Sequence, residues 1–344
     1  MHRRQFLKMA AILSCLAACN RQVTHLVPKG THMRYQDWKT VCLGRYLVDM
    51  PTEVTLNYGY LFSYNAGQYS LKKVQGTAED AKKMAEAKAN ELKASPHDTK
   101  GSLYVRSIPL ANGGILVQGY SVSFNVDSYD VFLYIPVVTR KKSFIYTYQG
   151  DSYPDSEQQD LKDFSAFAES FRPYDEGVIP KEPGLCLEDV ILVNLPDAFK
   201  DNLWVNFNDP YATTLTLAFV AQIVFEDFQW LSKRPGWVDQ ECFLMGGSGK
   251  CEKLRFEKHP VGPIEGEELC LSKKTKDGRY RIYDFQWDNP GVVGSKTSPE
   301  LTLSLIYPGP SIYNTTEPLP FFNDDEALAV WDRLVNSLRL RPTA

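Results

Sequence analysis

The glycine-rich run Gly246-Gly247-Ser248-Gly249-Lys250 is the stretch of this 344-residue chain whose residue types come nearest to phosphate or acyl chemistry. A phosphate-cradling loop needs a further glycine separated by four residues from the Gly-Lys pair, so that backbone N–H groups ring the phosphate, and then a hydroxyl for the metal. Those two positions hold Leu244 and Cys251. A nucleophile elbow, Gly-x-Ser-x-Gly, would need glycine where Lys250 stands. The run therefore reads as a flexible turn pinned between Cys242 and Cys251. Histidine is scarce: His2, His25 and His32 lie near the N-terminus, His97 in a Pro-His-Asp turn, and His259 directly before a proline. No pair has metal-ligand spacing and no Cys-x-x-Cys occurs, so no metal or other cofactor is expected. A serine hydrolase would have to draw its base from His97 or His259, and neither has a recognisable partner nearby. The acidic groups Glu226-Asp227 and Asp324-Asp325-Glu326 have structural readings, the second as a helix N-terminus. Catalytic residues are expected to be absent.

Seven cysteines are present. Cys242 and Cys251 are the candidate disulfide. Cys42, Cys186 and Cys270 leave an odd thiol in any oxidising compartment, and Cys186 could meet Cys270 if the second half brings them together.

An oxidising compartment is what the first residues specify. Arg3, Arg4 and Lys8 precede a short apolar run, Met9 to Ala18, too short to span a bilayer core of ~20 helical residues. Such a start followed by small residues is a secretory signal. Leu16-Ala17-Ala18-Cys19 resembles a bacterial lipobox, which makes Cys19 the lipidation site. The next residue is Asn20, not aspartate, so retention at the inner membrane is not signalled, and the expected location is the periplasm, lipid-anchored to the outer membrane. Arg3-Arg4-Gln5-Phe6-Leu7-Lys8 also matches the twin-arginine export pattern, and both export routes stay open. That route would fold the chain in a reducing cytosol, so the fold should not depend on any bridge. Removing residues 1–18, with three basic and no acidic residues, takes the net charge from −4 to −7. Mild acidity argues against nucleic acid and against a polybasic grip on anionic lipid.

A chain of this length exceeds the ~250–300 residues at which single cores stop growing, so two domains are expected. Residues 19–36 read as a tether. Val41 to Asp49 reads as a strand, followed by strands around 54–61 and 69–74. Thr77-Ala78-Glu79-Asp80 resembles a capping box and opens a helix that Pro96 stops. Asn112-Gly113 turns a hairpin between strands 103–110 and 115–126. Strands come next at 129–138 and 144–149, then a helix over 156–171 with Leu161, Phe164, Phe167, Ala168 and Phe171 as its apolar face. Residues 174–184, rich in proline and glycine, read as a linker.

The second half of the chain echoes the first. Cys42-Leu43-Gly44-Arg45-Tyr46-Leu47-Val48-Asp49-Met50-Pro51 opens one half, and Cys186-Leu187-Glu188-Asp189-Val190-Ile191-Leu192-Val193-Asn194-Leu195-Pro196 the other. The ends match too, Phe164–Arg172 with Trp331–Arg339. Inside the second half, Asp277-Gly278 turns a hairpin between 267–275 and 279–287, and Asn323 with Glu326 caps a last helix. The expected fold is α+β: two related domains, 37–173 and 185–344, each a mainly antiparallel sheet with helices packed on one side. Aromatic residues concentrate in Tyr58–Tyr69 and Phe225–Trp237, mostly as core, with a minority available as interface anchors.

The Cys42–Pro51 stretch resembles the opening of the N-terminal domain in type VI secretion immunity proteins of the lipase-immunity class (the fourth lipase group), and Pro183-Gly184-Leu185-Cys186 resembles the start of that family's second domain. The resemblance spans roughly residues 38 to 340, and the stretch from Trp230 to Lys258 has no match in it. It implies a non-catalytic envelope antidote whose partner is a cognate secreted phospholipase effector, with an unspecified binding surface. On this reading two domains joined by a Pro-rich hinge grip the partner from two sides. The rivals are an envelope lipoprotein hydrolase and a structural or chaperone lipoprotein without a toxin partner.

Overall fold

The computed structural model describes residues 35–342 except 66, 123–127, 176, 211, 247–249, 276–277 and 309–318. The signal segment, Cys19, His25, His32 and the tether to residue 34 lie outside the described residues, as do Gly247-Ser248-Gly249 and Asp277.

The fold is mainly antiparallel α+β. Its frame is one twelve-stranded sheet to which both halves contribute. The first half supplies β3 (Thr55–Tyr64), β4 (Gly67–Gln75), β5 (Tyr104–Pro109), β6 (Ile115–Tyr120), β7 (Tyr129–Val138) and β8 (Ser143–Ser152). The second supplies β12 (Lys200–Asn208), β13 (Thr216–Gln222), β14 (Glu252–Lys258), β15 (Glu267–Lys274), β16 (Arg281–Asn289) and β17 (Glu300–Tyr307). The order is β14-β15-β16-β17-β13-β12-β3-β4-β8-β7-β6-β5. The seam is the β3–β12 ladder, nine residue pairs from Lys200 opposite Ser63 to Asn208 opposite Thr55.

Side-chain alternation sets the two faces. In β12, Asp201, Leu203, Val205 and Phe207 are buried while their neighbours are half-buried or exposed. One row crosses the seam on the inner face: Tyr58, Val205, Phe219, Leu303, Trp287 and Glu268 stand opposite one another in register.

Helices cover both faces, where one-sided packing was expected. Here α1 (Ala78–Ala94) lays Ala81, Ala85, Ala89 and Leu92 against Val117, Tyr134 and Ile145. On the opposite face α2 (Glu157–Glu169) packs Phe164, Phe167 and Ala168 into the main core with Leu116 and Tyr148. Leu116 and Val117 are adjacent in β6 and both fully buried, which requires cover on each side. The second half repeats the arrangement. On the outer face α3 (Trp237–Leu244) and its flanking loop cover Leu269 and Leu271, while α4 (Asp324–Ser337) packs Trp331 and Leu334 into the core that holds Cys270 and Phe285. The apolar stripe of α1 is too short in side chain to reveal its direction from sequence; only the two-sided burial of β6 does. Its N-terminus carries the capping box, with Thr77 N–H donating to Asp80 Oδ2 and Asp80 N–H donating to the Thr77 hydroxyl.

Two small sheets complete the inner face. The expected strand Val41–Asp49 is instead a hairpin, β1 (Trp38–Leu43) and β2 (Tyr46–Pro51), because Gly44 sits at φ +61° and reverses the chain there. Glycine meets no Cβ penalty at such a φ. The second opening is likewise a hairpin, β10 (Leu185–Cys186) with β11 (Val190–Leu192), turning through Asp189 at φ +60°. The strand after each long helix pairs with the opening of the other half. β9 (Phe171–Pro173) ladders onto β11, and β18 (Arg339–Leu340) onto β2. The halves therefore clasp each other reciprocally.

Candidate interaction site at the seam

The residues of the Cys42–Pro51 signature hold the two halves together. Cys42 is bonded to Cys186, with Cα atoms 5.8 Å apart, so Cys186 does not meet Cys270. Gly44 N–H donates to Cys186 O at 3.0 Å and Cys186 N–H to Gly44 O at 2.8 Å. Arg45 donates two hydrogen bonds to Asp201 at the start of β12, at 2.8 and 3.0 Å. Burial works against the Arg45 charge, yet Asp201 outweighs it and raises the guanidinium above its ordinary value. At the far end, Arg341 donates to the carbonyls of Pro180, Glu182 and Gly184 and so fixes the linker. A hinge in this segment would have to break all of these bonds.

Cys242 and Cys251 form the second disulfide, with Cα atoms 5.8 Å apart. Cys270 is a free, buried thiol, pushed well above its ordinary value first by burial and then by Glu268. It is therefore no thiolate nucleophile. His97 Nδ1 accepts from Thr99 N–H, and its ring lies against Tyr120. His259 sits with Nδ1 3.0 Å from Glu268 Oε2 and Nε2 3.0 Å from Asn336 Oδ1. Both ring nitrogens are engaged by neighbouring side chains, so neither is turned toward a substrate. The same Glu268 receives the indole N–H of Trp331 at 3.0 Å, and Arg255 braces Asp332 beside it. This is a structural network. Glu226 and Asp227 are exposed, whereas Asp324 opens α4 and receives the Ser272 hydroxyl. Among the described residues, no group of three or more His, Cys, Asp or Glu side chains could hold a metal ion.

The His259 network carries a pH signature. Burial lowers its basicity, but the bonds to Asn336 and Glu268 outweigh that and hold it above its ordinary value of about 6.5. Protonated imidazolium is favoured in the folded state. The stabilisation is complete below about pH 6.5 and is lost as pH rises through the folded value. Thermal melts of the unaltered chain are expected to show a falling midpoint from pH 6 to pH 8, and His259→Gln is expected to flatten that slope. An unchanged slope in the variant rules out this role.

A hollow of about 590 Å³ opens between β3 and β4 and is lined from both faces of the sheet by residues 56–60 of β3, 70–74 of β4, Glu188 and Trp204. Trp204 stands opposite Gly59 across the seam, and its indole lies flat on that glycine: a Cβ there would come within 1.9 Å of the ring. Lys73 closes the inner mouth by pairing with Glu188 and Asp189. Elsewhere in the second half, Phe225, Phe243 and Phe322 stay 61%, 81% and 42% exposed, and each presents a ring that a partner could touch. Sequence reading missed the hollow, since neither strand lining it carries a local break.

The residues on the inner face serve packing, and the accessible surface offers docking without catalytic groups. The comparisons agree with that division. The chain is similar to an immunity protein, TplEi, of the type VI secretion system of Pseudomonas aeruginosa, at 26% identity and TM-score 0.76 over 91% of this chain and all of the other. A chain from the crystal structure of a Tle4–Tli4 complex is 27% identical, with TM-score 0.76 and the same coverage. TplEi complexed with an "L" peptide gives 25% and 0.72, over 90% of this chain and all of that one. No curated protein matches the chain. Residues 39–176 match the N-terminal domain, and residues 178–343 the C-terminal domain, of Tle cognate immunity protein 4. With both domains matched over nearly all of its described length, this chain belongs to the Tle cognate immunity protein 4 family.

Proposed function

We propose that the chain is an envelope immunity lipoprotein, which binds a type VI secreted antibacterial phospholipase and blocks it without chemistry of its own. The observation that carries the reading is the match of both halves to one immunity family, with superposition over 91% of this chain on a chain from a Tle4–Tli4 complex. The reciprocal clasp of the two halves supports it, because a surface held by many long-range contacts loses less entropy on association. Cys19 is assigned as the acylated residue and the periplasmic face of the outer membrane as its station, on the strength of the lipobox-like Leu16-Ala17-Ala18-Cys19. Two or more acyl chains give stable anchoring where one is reversible. Anchoring there puts the antidote at the bilayer its target attacks.

The decisive measurement titrates the purified chain against its cognate phospholipase on phospholipid vesicles. Hydrolysis should fall to baseline at one equivalent, with a Kd of roughly nanomolar or below, as for tight enzyme–inhibitor pairs. Persistent hydrolysis at saturating antidote, or turnover of lipid by the chain alone, would sink the reading. Labelled palmitate should enter the full chain in cells and not the Cys19→Ser variant. Equal labelling of both would remove the anchor.

A further inference from the structure

The ladder between β3 and β4 stops halfway. Tyr60–Tyr64 pair with Leu71–Gly67, and the register would continue with Gly59 opposite Lys72 and Tyr58 opposite Lys73. Those pairs do not form. Instead Thr55–Gly59 hydrogen-bond on their far side to β12, while Lys72–Gln75 turn to β8 and pair with Phe144–Thr147. The twelve-stranded sheet is thus forked inside its own body, and the 590 Å³ hollow is the fork. That volume is within the range of ~300–1,000 Å³ typical of ligand sites.

Two strand edges face each other across it, each with backbone donors and acceptors that the ladder leaves unused. Such edges are templates for another strand. Natural sheets cover or blunt them at their rims, whereas here they stand in the middle. The walls offer side-chain selectivity: the faces of Tyr58 and Trp204, the methyls of Leu56 and Val74, and the ammonium of Lys72. Lys72 is exposed and has no ion pair among the described residues, unlike Lys73, which is held by Glu188 and Asp189. In an acidic chain, that lone cation at the mouth favours an acidic group on the incoming segment.

We propose that the fork is a socket for one extended segment of the phospholipase, which adds as a strand between β3 and β4 and sets a carboxylate against Lys72. This rests on the immunity reading and names the contact that delivers it. Strand addition draws its affinity from main-chain hydrogen bonds and its selectivity from the side-chain pockets along the edge.

Amide hydrogen exchange on the full chain, alone and saturated with the cognate phospholipase, tests it, with complex formation measured separately by calorimetry. The amides within Leu56–Gly59 and Lys72–Gln75 that point into the fork, and not those that donate to β12 or β8, should exchange at least tenfold more slowly in the complex. Lys72→Glu should weaken binding at least fivefold while leaving the thermal midpoint unchanged. A tight complex with unaltered exchange in both stretches overturns the socket and leaves the immunity reading standing. Protection of those fork-facing amides already present in the free chain also overturns it, because the fork would then be filled by this chain or a second copy; the amides that donate to β12 and β8 are protected in either case. If no complex forms, the immunity reading falls and the socket with it.

Discussion

Replacing Cys42 and Cys186 together with serine is expected to lower the unfolding free energy by about 2–5 kcal/mol, the range measured for native bridges. The bond closes a loop spanning 144 residues of sequence separation. In the chain-entropy description a loop of that length lies near the upper end, at roughly 5 kcal/mol. At this chain length a kilocalorie shifts the midpoint by roughly 2 °C, so a drop of about 4–10 °C is the expected reading in a thermal melt. The fold itself should persist, since the nine-pair seam and the reciprocal β9–β11 and β18–β2 ladders remain. The same result is expected on reduction of the unaltered protein. A double variant that melts at the original temperature would show that the bridge restrains nothing in the unfolded chain.

The second large effect is at Arg45. Its side chain is 17% exposed and that of Asp201 only 5%, so Arg45→Ala leaves a buried carboxylate with its two charged donors gone. Breaking such a pair from one side typically costs about 3–5 kcal/mol. Arg45→Lys should recover part of this, because an ammonium keeps the charge but not the two parallel hydrogen bonds. Chemical denaturation of the three proteins measures the series. If alanine and lysine are equally destabilising, the loss comes from the two parallel guanidinium hydrogen bonds, since lysine keeps the stem and the charge; if neither is, the pair contributes nothing to the seam. Replacing both partners, Arg45→Met with Asp201→Leu, should be far milder than Arg45→Ala alone.

These two predictions reassign the signature that first made the chain recognisable. Cys42, Gly44 and Arg45 stand together in sequence because they must meet one partner hairpin and one strand: Cys186 through sulfur and backbone, and Asp201 through the guanidinium. A motif that reads as an identity mark is physically a weld between halves. That explains why the resemblance carried a family and a function class but no binding residues.

Residue types and spacing reveal what neighbours in the chain decide. Thr77 and Asp80 are three apart and close their capping box within one turn. Phe164, Phe167 and Ala168 recur at helical spacing, and α2 buries them. The echo between the two openings and the two helix–strand endings was visible as repeated residue types. Even there the short range had a limit, for nothing beside Val41–Asp49 except a single glycine announced that the segment doubles back.

Tertiary structure alone decided the rest. Alternation in β3 and in β12 says that each buries one face, and says nothing of which strand lies alongside. Any alternating strand could ladder on either edge, so the fusion of the two halves into one sheet emerges only when residues 55–63 meet 200–208 across the fold. The crossing of β9 and β18 onto the opposite openings depends on that fusion. So does the fork, which exists because β3 is drawn to β12 while β4 turns to β8. Side-chain types, spacing and caps are properties of the chain; partner choice among equally suitable edges is settled by the total packing of a body in which both faces of the sheet must be covered.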